Sequence, residues 1–248
     1  MIYLKSRDEI AIMREANRIV VEVMAMIQEK LAPGIATEEM DKIAEEAILN
    51  RGGKPAFKGY RGFTKTLCVS INEEVVHGIP GKRRVEEGDI VSIDCGVLKG
   101  GFYGDHAWSF GVGKVSSEDK KLLKIGEESL YKGIEKLQLN NRLFDISAAI
   151  QSHAEKNGFS VVRDFVGHGI GRQLHEDPQV PNFGEPGTGL RLKPGLVVAL
   201  EPMINAGSCD VEMLSDGWTV VTLDRKKSVH FEHSVALTDE GPEVLSRI

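Results

Sequence analysis

Asp94 and Asp105 stand on either side of a turn. If residues 91–98 and 101–110 pair antiparallel around a two-residue loop at Lys99-Gly100, the two aspartates lie directly opposite each other. Their Cβ atoms would then be roughly 4.5–5.5 Å apart on one face of a sheet. Like charges so placed are destabilising and Asp is a poor strand former, so a divalent cation between them is the simplest compensation. A turn one residue longer would instead send one Asp to solvent. Glu201 closes the apolar run Leu196-Val197-Val198-Ala199-Leu200 just before Pro202, and Glu232 sits inside the strand-like His230-Phe231-Glu232-His233-Ser234-Val235. A Glu in a buried strand needs a partner; for either one alone, a salt bridge or an edge position is the ordinary explanation. His168 falls in a Gly-flanked turn, where backbone can approach a ligand closely, and His175 follows seven residues later. Asp94, Asp105, Glu201, Glu232 and His168 together carry a formal charge of −4, which two divalent ions would match. A carboxylate-rich set with one imidazole suits ions of the Mn, Fe or Co kind, roughly 3.5–4 Å apart, rather than a closed structural zinc site.

The elements that must position these groups come in two similar runs. Ser6-Arg7-Asp8-Glu9 has capping-box spacing, and Ile10, Met13, Ala16, Ile19, Val20, Val23, Met24, Ile27 and Leu31 then recur with helical periodicity up to Pro33-Gly34. Thr37 is placed to cap a second helix with apolar face Met40, Ile43, Ala44, Ala47, Ile48, ending at Gly52-Gly53. Strands are expected over 66–71, 90–98 and 102–112. The order then repeats: a helix after Ser117 to about residue 137, a second over about 144–157, and strands near Val161 and over 196–204, 219–223 and 229–237. This order predicts one α/β domain over 1–248 whose halves, about 1–113 and 114–248, descend from an internal duplication.

Composition excludes several other readings. The chain has 248 residues, 31 Lys+Arg against 37 Asp+Glu, and a net charge of −6. It shows no basic stripe of the kind that phosphate-backbone binding needs, so no specific nucleic acid is expected. Lys82-Arg83-Arg84 and Arg225-Lys226-Lys227 read as solvated turns, with contact to a nucleic acid or ribosome surface as the lesser alternative. Three cysteines in no CxxC pair disfavour a disulfide framework and fit a reducing cytoplasm. The charged N-terminus and the lack of any run of roughly 18 apolar residues argue against a signal peptide and a membrane span. Gly111-Val112-Gly113-Lys114 lacks the P-loop hydroxyl, His175-Glu176 is followed by Pro178 and Gln179 rather than a second zinc-binding His, and no nucleophile elbow is present.

Taken in order, His77-Gly78-Ile79-Pro80, Ile93-Asp94-Cys95-Gly96, Gly104-Asp105, Gly167-His168-Gly169-Ile170-Gly171, His175-Glu176-Asp177-Pro178, Leu200-Glu201-Pro202 and Phe231-Glu232-His233 resemble the type I (bacterial) methionine aminopeptidases. The resemblance runs from the first helix to the C-terminus. It implies the pita-bread fold, two pseudo-symmetric halves with a curved antiparallel sheet backed by helices. It also implies two divalent metal ions (Co, Mn, Fe, Zn or Ni) held by Asp94, Asp105, His168, Glu201 and Glu232. Asp105 and Glu232 would bridge the ions, with Asp94 on one and His168 and Glu201 on the other. A monovalent cation at Asn72 and Ser228 is implied from some relatives.

The implied reaction is removal of the N-terminal methionine from nascent or newly made chains with a small second residue, by attack of a metal-bridging hydroxide on the scissile carbonyl. Glu201 would be the proton acceptor, His175 would stabilise the oxyanion with the metal, and His77 would contact the scissile nitrogen or nearby backbone. Tyr60, Phe63, Cys68, Leu174 and Trp218 would line the methionine slot; Leu174 and Cys68 suit ordinary core packing equally well. The free substrate amine would bind one metal, so an N-formyl group should block the reaction. The chain departs from the usual pattern with His230 where Gln is common and Leu174 where Phe is common. A monomer in the cytoplasm is expected, with a transient ribosome contact as the partner that nascent substrates imply. Two alternatives remain: a proline-directed aminopeptidase or dipeptidase, whose usual extra N-terminal domain does not fit a first helix starting by about residue 7, and a non-catalytic pita-bread binding module.

Overall fold

The computed structural model describes residues 1–247. Helix α1 (Arg7–Lys30) opens with the expected capping box, in which Ser6 Oγ accepts from the Glu9 amide at 3.2 Å and Glu9 accepts in return from the Ser6 amide at 2.9 Å. Helix α2 (Thr37–Asn50) is capped differently from expectation. Ala36 holds the cap position, and the Thr37 hydroxyl donates to the Gly81 carbonyl and accepts from the Gly81 amide, fastening the helix start to a loop instead. Strands β1 (Lys54–Pro55), β2 (Leu67–Ile71), β3 (Glu74–Val76), β4 (Ile90–Lys99) and β5 (Phe102–Gly111) complete the first run.

The second run starts with α3 (Ser117–Ile134), capped by Ser116, one residue before the Ser expected, and α4 (Leu143–Lys156). Strands β6 (Ser160–Val161), β7 (Gly167–Gly169), β8 (Glu176–Val180), β9 (Val197–Leu200), β10 (Met203–Asn205), β11 (Val211–Met213), β12 (Val220–Thr222), β13 (Ser228–His230), β14 (His233–Thr238) and β15 (Gly241–Val244) follow. The two long strands expected over 196–204 and 229–237 are each split, at Glu201-Pro202 and Phe231-Glu232. Pro202 lacks the amide a continuous ladder needs.

All strand pairings among the described residues are antiparallel. One sheet runs β1-β4-β2 with β5 also on β4, a second runs β15-β14-β9-β7-β8, and two three-stranded sheets run β13-β10-β6 and β11-β12-β3. Apolar faces of α1 and α2 pack on the first of these, burying Val20, Val23, Ile27 and Met40 against Leu67, Val91 and Ile93. Helices α3 and α4 bury Leu130, Ile146 and Ile150 with Val198, Leu200 and Val235 of the five-stranded sheet. Trp108 of β5 touches both clusters and joins them.

The hairpin turn falls at Gly100-Gly101, with φ of 60° and 81°, and not at Lys99-Gly100. A tight two-residue turn of this kind requires positive φ at both central positions, which two glycines supply at no steric cost. The correction moves both strands together, so Asp94 pairs with Ala107 and Asp105 with Gly96. The aspartates are therefore diagonal neighbours rather than direct opposites, and because the shift is even they still share one face of the sheet.

Candidate metal centre and cleft

Each of the five candidate ligand positions is delivered by a strand or a strand end. Asp94 and Asp105 come from the β4–β5 hairpin. His168 lies in β7, a strand where a turn was expected, because its flanking glycines allow neighbouring backbone to close in: a Cβ on Gly167 would lie 2.4 Å from the Ala199 carbonyl, and one on Gly169 would lie 2.2 Å from that of Asp177. His168 pairs with Ala199 of β9, so Glu201, two residues on, falls on the same face. Glu232 lies in the break before β14, next to the paired His233 and Leu200.

A seam of hydrogen bonds brings the two groups of strands together. The Glu232 amide donates to the Ala107 carbonyl at 2.8 Å, and His106 Nδ1 contacts the Glu232 carbonyl. Ser109 Oγ accepts from the His230 amide and donates to the His230 carbonyl, while Ser234 Oγ accepts from the Asp105 amide and donates to its carbonyl. Behind it the rings of His106 and His233 stack at 4.9 Å. Burial pushes both imidazoles down, to about 4 and about 2, so they form a neutral wall.

In the space in front of that wall, His168 Nε2 stands 3.5 Å from Glu201 Oε1 and 3.9 Å from Asp105 Oδ2. Donor atoms of Asp105, His168 and Glu232 all lie within 4.8 Å of one another. His168 Nδ1 is 2.9 Å from the Gly169 carbonyl, which places the ring proton there and leaves Nε2 free as a ligand. Asp94 Oδ1, Asp105 Oδ1, Glu232 Oε1 and His230 Nε2 are buried without hydrogen-bond partners. Buried carboxylate oxygens without donors are costly, and the cost is removed by cations. The donor set therefore fits divalent metal.

The carboxylates form one end of a cleft of about 150 Å³ whose other lining includes Phe57, Tyr60, Arg61, Phe63, Cys68, His77, Leu174, His175 and Trp218. Phe63 meets Trp218 edge-on at 5.0 Å, giving the slot aromatic walls. Tyr60 OH is 2.8 Å from His175 Nδ1, and the His175 ring is 4.3 Å from that of His168. His77 holds a left-handed backbone (φ 62°) that aims its ring at Phe165 and Trp218. Thus the expected site residues His77, His175, Tyr60, Phe63, Cys68, Leu174 and Trp218 all line the same cleft as Asp94, Asp105, His168, Glu201 and Glu232. Asn72 and Ser228 are joined to each other by the Ser228 amide and Asn72 carbonyl at 2.8 Å, and their side chains bond Asp89, Ile90, Ile204 and Asn205. Phe57 and Arg61 were not anticipated: Arg61 lies within a single 3₁₀ turn, Tyr60–Gly62, and Phe57 just before it, and no periodicity marks that turn.

Residues 11–239 match metallopeptidase family M24. Over its full length the chain is 56% identical to a methionine aminopeptidase of Clostridium perfringens, covering 100% of both. The chain belongs to the methionine aminopeptidase family. It is also 53% identical, again over 100% of both chains, to methionine aminopeptidase 1 of Bacillus subtilis. The crystal structure of the methionine aminopeptidase from Thermotoga maritima superposes with a TM-score of 0.98, at 43% identity and 100% coverage of both. The pita-bread fold expected for this family is the fold observed.

Charge in this family member's cleft is divided unevenly. Burial, then the neighbouring carboxylates, push Asp105 and Glu232 well above the usual carboxylate range. Burial lifts Asp94 to about 7. Burial also opposes ionisation of Glu201, but the flanking His230 and His168 outweigh it and hold this carboxylate below its ordinary value. Desolvation in the cleft, aided by His168, brings His175 down to about 4, and burial lowers His77. One carboxylate stays ionised among proton-holding neighbours, and two neutral imidazoles face it. Outside the cleft, Arg83, Arg225, Lys226 and Lys227 are ion-paired with Glu74, Glu212, Asp224 and Asp119. No described helix is long and apolar enough to cross a membrane.

Proposed function

We propose that this chain is a metal-dependent aminopeptidase that removes the N-terminal methionine of nascent or newly made polypeptides. The observation that carries this reading is the junction in one cleft of an aromatic-walled apolar slot with a cluster of carboxylates whose buried oxygens have no hydrogen-bond donors. Asp94, Asp105, His168, Glu201 and Glu232 would hold two divalent ions; Mn, Fe, Co, Ni and Zn all suit these ligands, and availability selects among them. When bound, such ions polarise a carbonyl and acidify water.

The residues themselves divide the remaining work. Phe63 and Trp218, with Tyr60, Cys68 and Leu174, take the methionine side chain; thioether–aromatic contacts of this kind contribute roughly 0.3–1.5 kcal/mol each. Glu201, held ionised, accepts the proton of the attacking water and delivers it to the leaving amine. His175, neutral and oriented by Tyr60 OH, hydrogen-bonds the carbonyl oxygen as charge develops on it, and His77 holds the scissile nitrogen or adjacent backbone. A small second residue is part of this reading, and Met-Ala-Ser against Met-Leu-Ser tests it. The enzyme acts as a cytoplasmic monomer on chains near the ribosome, touching that surface transiently. A monovalent cation at the Asn72–Ser228 junction is a further element of the reading.

The test is methionine release from Met-Ala-Ser, beside Met-Leu-Ser, Ala-Pro-Ser and formyl-Met-Ala-Ser, using chelated protein restored with Mn²⁺ or Co²⁺. Release from Met-Ala-Ser alone, and only with metal, is expected. Metal binding without methionine release would overturn the substrate assignment, and cleavage of Ala-Pro-Ser would move the chain to proline-directed chemistry.

A further inference from the structure

We propose that His230 is a sixth donor to the metal centre, a second imidazole that biases the site toward nitrogen-preferring ions such as Co²⁺ and Zn²⁺ over Mn²⁺. This rests on the reading of the five ligand positions above and extends it.

His230 ends β13 and is 2% exposed. Its backbone is clamped on both sides by Ser109 Oγ, which accepts from its amide at 2.8 Å and donates to its carbonyl at 2.9 Å, so the backbone that aims the ring is fixed. Nε2 is buried and makes no hydrogen bond, yet it stands 3.5 Å from Glu201 Oε2. His168 Nε2 stands at the same 3.5 Å from the other oxygen, Oε1. The Glu201 carboxylate is thus flanked by two imidazole nitrogens at equal distance.

A charge-assisted N–H···O⁻ bond would draw the pair to about 2.7–2.9 Å. Donors that share an ion at about 2.0–2.2 Å each stand roughly 3–3.5 Å apart at octahedral to tetrahedral angles. The His230–Glu201 spacing belongs to the second class, as the His168–Glu201 spacing does. Neutral imidazole adds a nitrogen donor without altering the charge balance of four carboxylates and two ions. Divalent ions later than Mn in the first transition row, Co and Zn among them, bind nitrogen donors more tightly, whereas carboxylate and water suit Mn, so the extra ring changes preference more than total affinity.

The experiment compares metal-stripped wild-type protein and His230→Gln, titrated separately with Co²⁺ and Mn²⁺ by calorimetry. Proton NMR of the Co²⁺ forms counts strongly shifted, exchangeable imidazole N–H signals. Two such signals are expected in the wild type and one in the variant, with Co²⁺ affinity falling about tenfold or more and Mn²⁺ affinity changing less than about threefold. A single signal in the wild type, or an unchanged Co²⁺/Mn²⁺ ratio in a variant whose metal-free melting temperature matches wild type, would overturn the proposal. The wild-type count needs no variant, so a misfolded His230→Gln leaves the test intact. Wild-type protein that binds no ion would overturn the underlying site reading as well, whereas binding with one imidazole overturns the role of His230 alone.

Discussion

Asp94→Asn should stabilise the metal-free protein while weakening its response to metal. In the folded chain, burial lifts Asp94 from an ordinary 3.8 to about 7. The folded state therefore binds more protons than the unfolded state between those values. For a carboxyl with a raised pKa the stabilising contribution is present below the unfolded value and lost as pH rises, levelling off above about 7. At about 1.4 kcal/mol per pH unit the ionisation cost reaches about 4 kcal/mol by pH 8 and is less than half of that at pH 5. Asn cannot ionise, but its amide must be buried in the same place with incomplete partners, which offsets about half of the gain. The net expectation is about 2 kcal/mol at pH 8, or roughly 4–8 °C for a chain of this size. Thermal melts of chelated wild type and variant at pH 5 and pH 8 measure it, and a repeat with Co²⁺ should reverse the order. A variant that melts no higher than wild type at pH 8, or gains equally at both pH values, would refute the account of Asp94 as a carboxylate held at a cost for metal.

Because Asp94, Asp105 and Glu232 all hold protons more tightly than usual, metal binding near neutral pH should release protons. Calorimetry in two buffers of different ionisation enthalpy reads their number, and heats independent of buffer would contradict it. Gly101→Ala meets open space and costs only its positive φ, roughly 1–2 kcal/mol. Gly104→Ala would place its Cβ 2.7 Å from the Asn17 amide nitrogen in α1, so denaturant unfolding should show the larger loss there, together with weaker metal binding through the adjacent Asp105. Lys5 and Glu176 form a buried ion pair that ties the N-terminal segment to the strand after His175. Glu176→Gln should cost about 3–5 kcal/mol by stranding the Lys5 charge, and the double variant Lys5→Met/Glu176→Leu should recover most of it.

The parts legible in the sequence were those governed by local rules. The α1 capping box, the apolar stripes of α1 and α2 and the β4–β5 hairpin follow from side-chain spacing. The aspartates keep a common face despite the misplaced turn because strand parity survives an even shift. What local rules could not supply is visible at Glu232 and His168. Glu232 leaves the ladder because its amide is claimed by Ala107, a partner remote in sequence. His168 is drawn into a strand by backbone that fits only beside its flanking glycines. The short strands β3, β7, β8, β11 and β15 likewise owe their state to neighbours rather than to propensity. Within the cleft, the acids and histidines stood out by residue type, whereas Arg61 and Phe57 enter through one turn with no chemical signature.

The seam between β5 and residues 230–234 also bears on when the site can come into being. Its hydrogen bonds join residues 121 to 129 positions apart, about half the length of the chain. Contacts that close such long loops carry the entropy of everything between them and are expected late in folding. A chain still being made could build the first sheet and its helices, with Asp94 and Asp105 in place, but Glu232 would be missing until nearly the whole polypeptide had been synthesised. Each new copy would thus lack the complete metal cluster for almost all of its own synthesis.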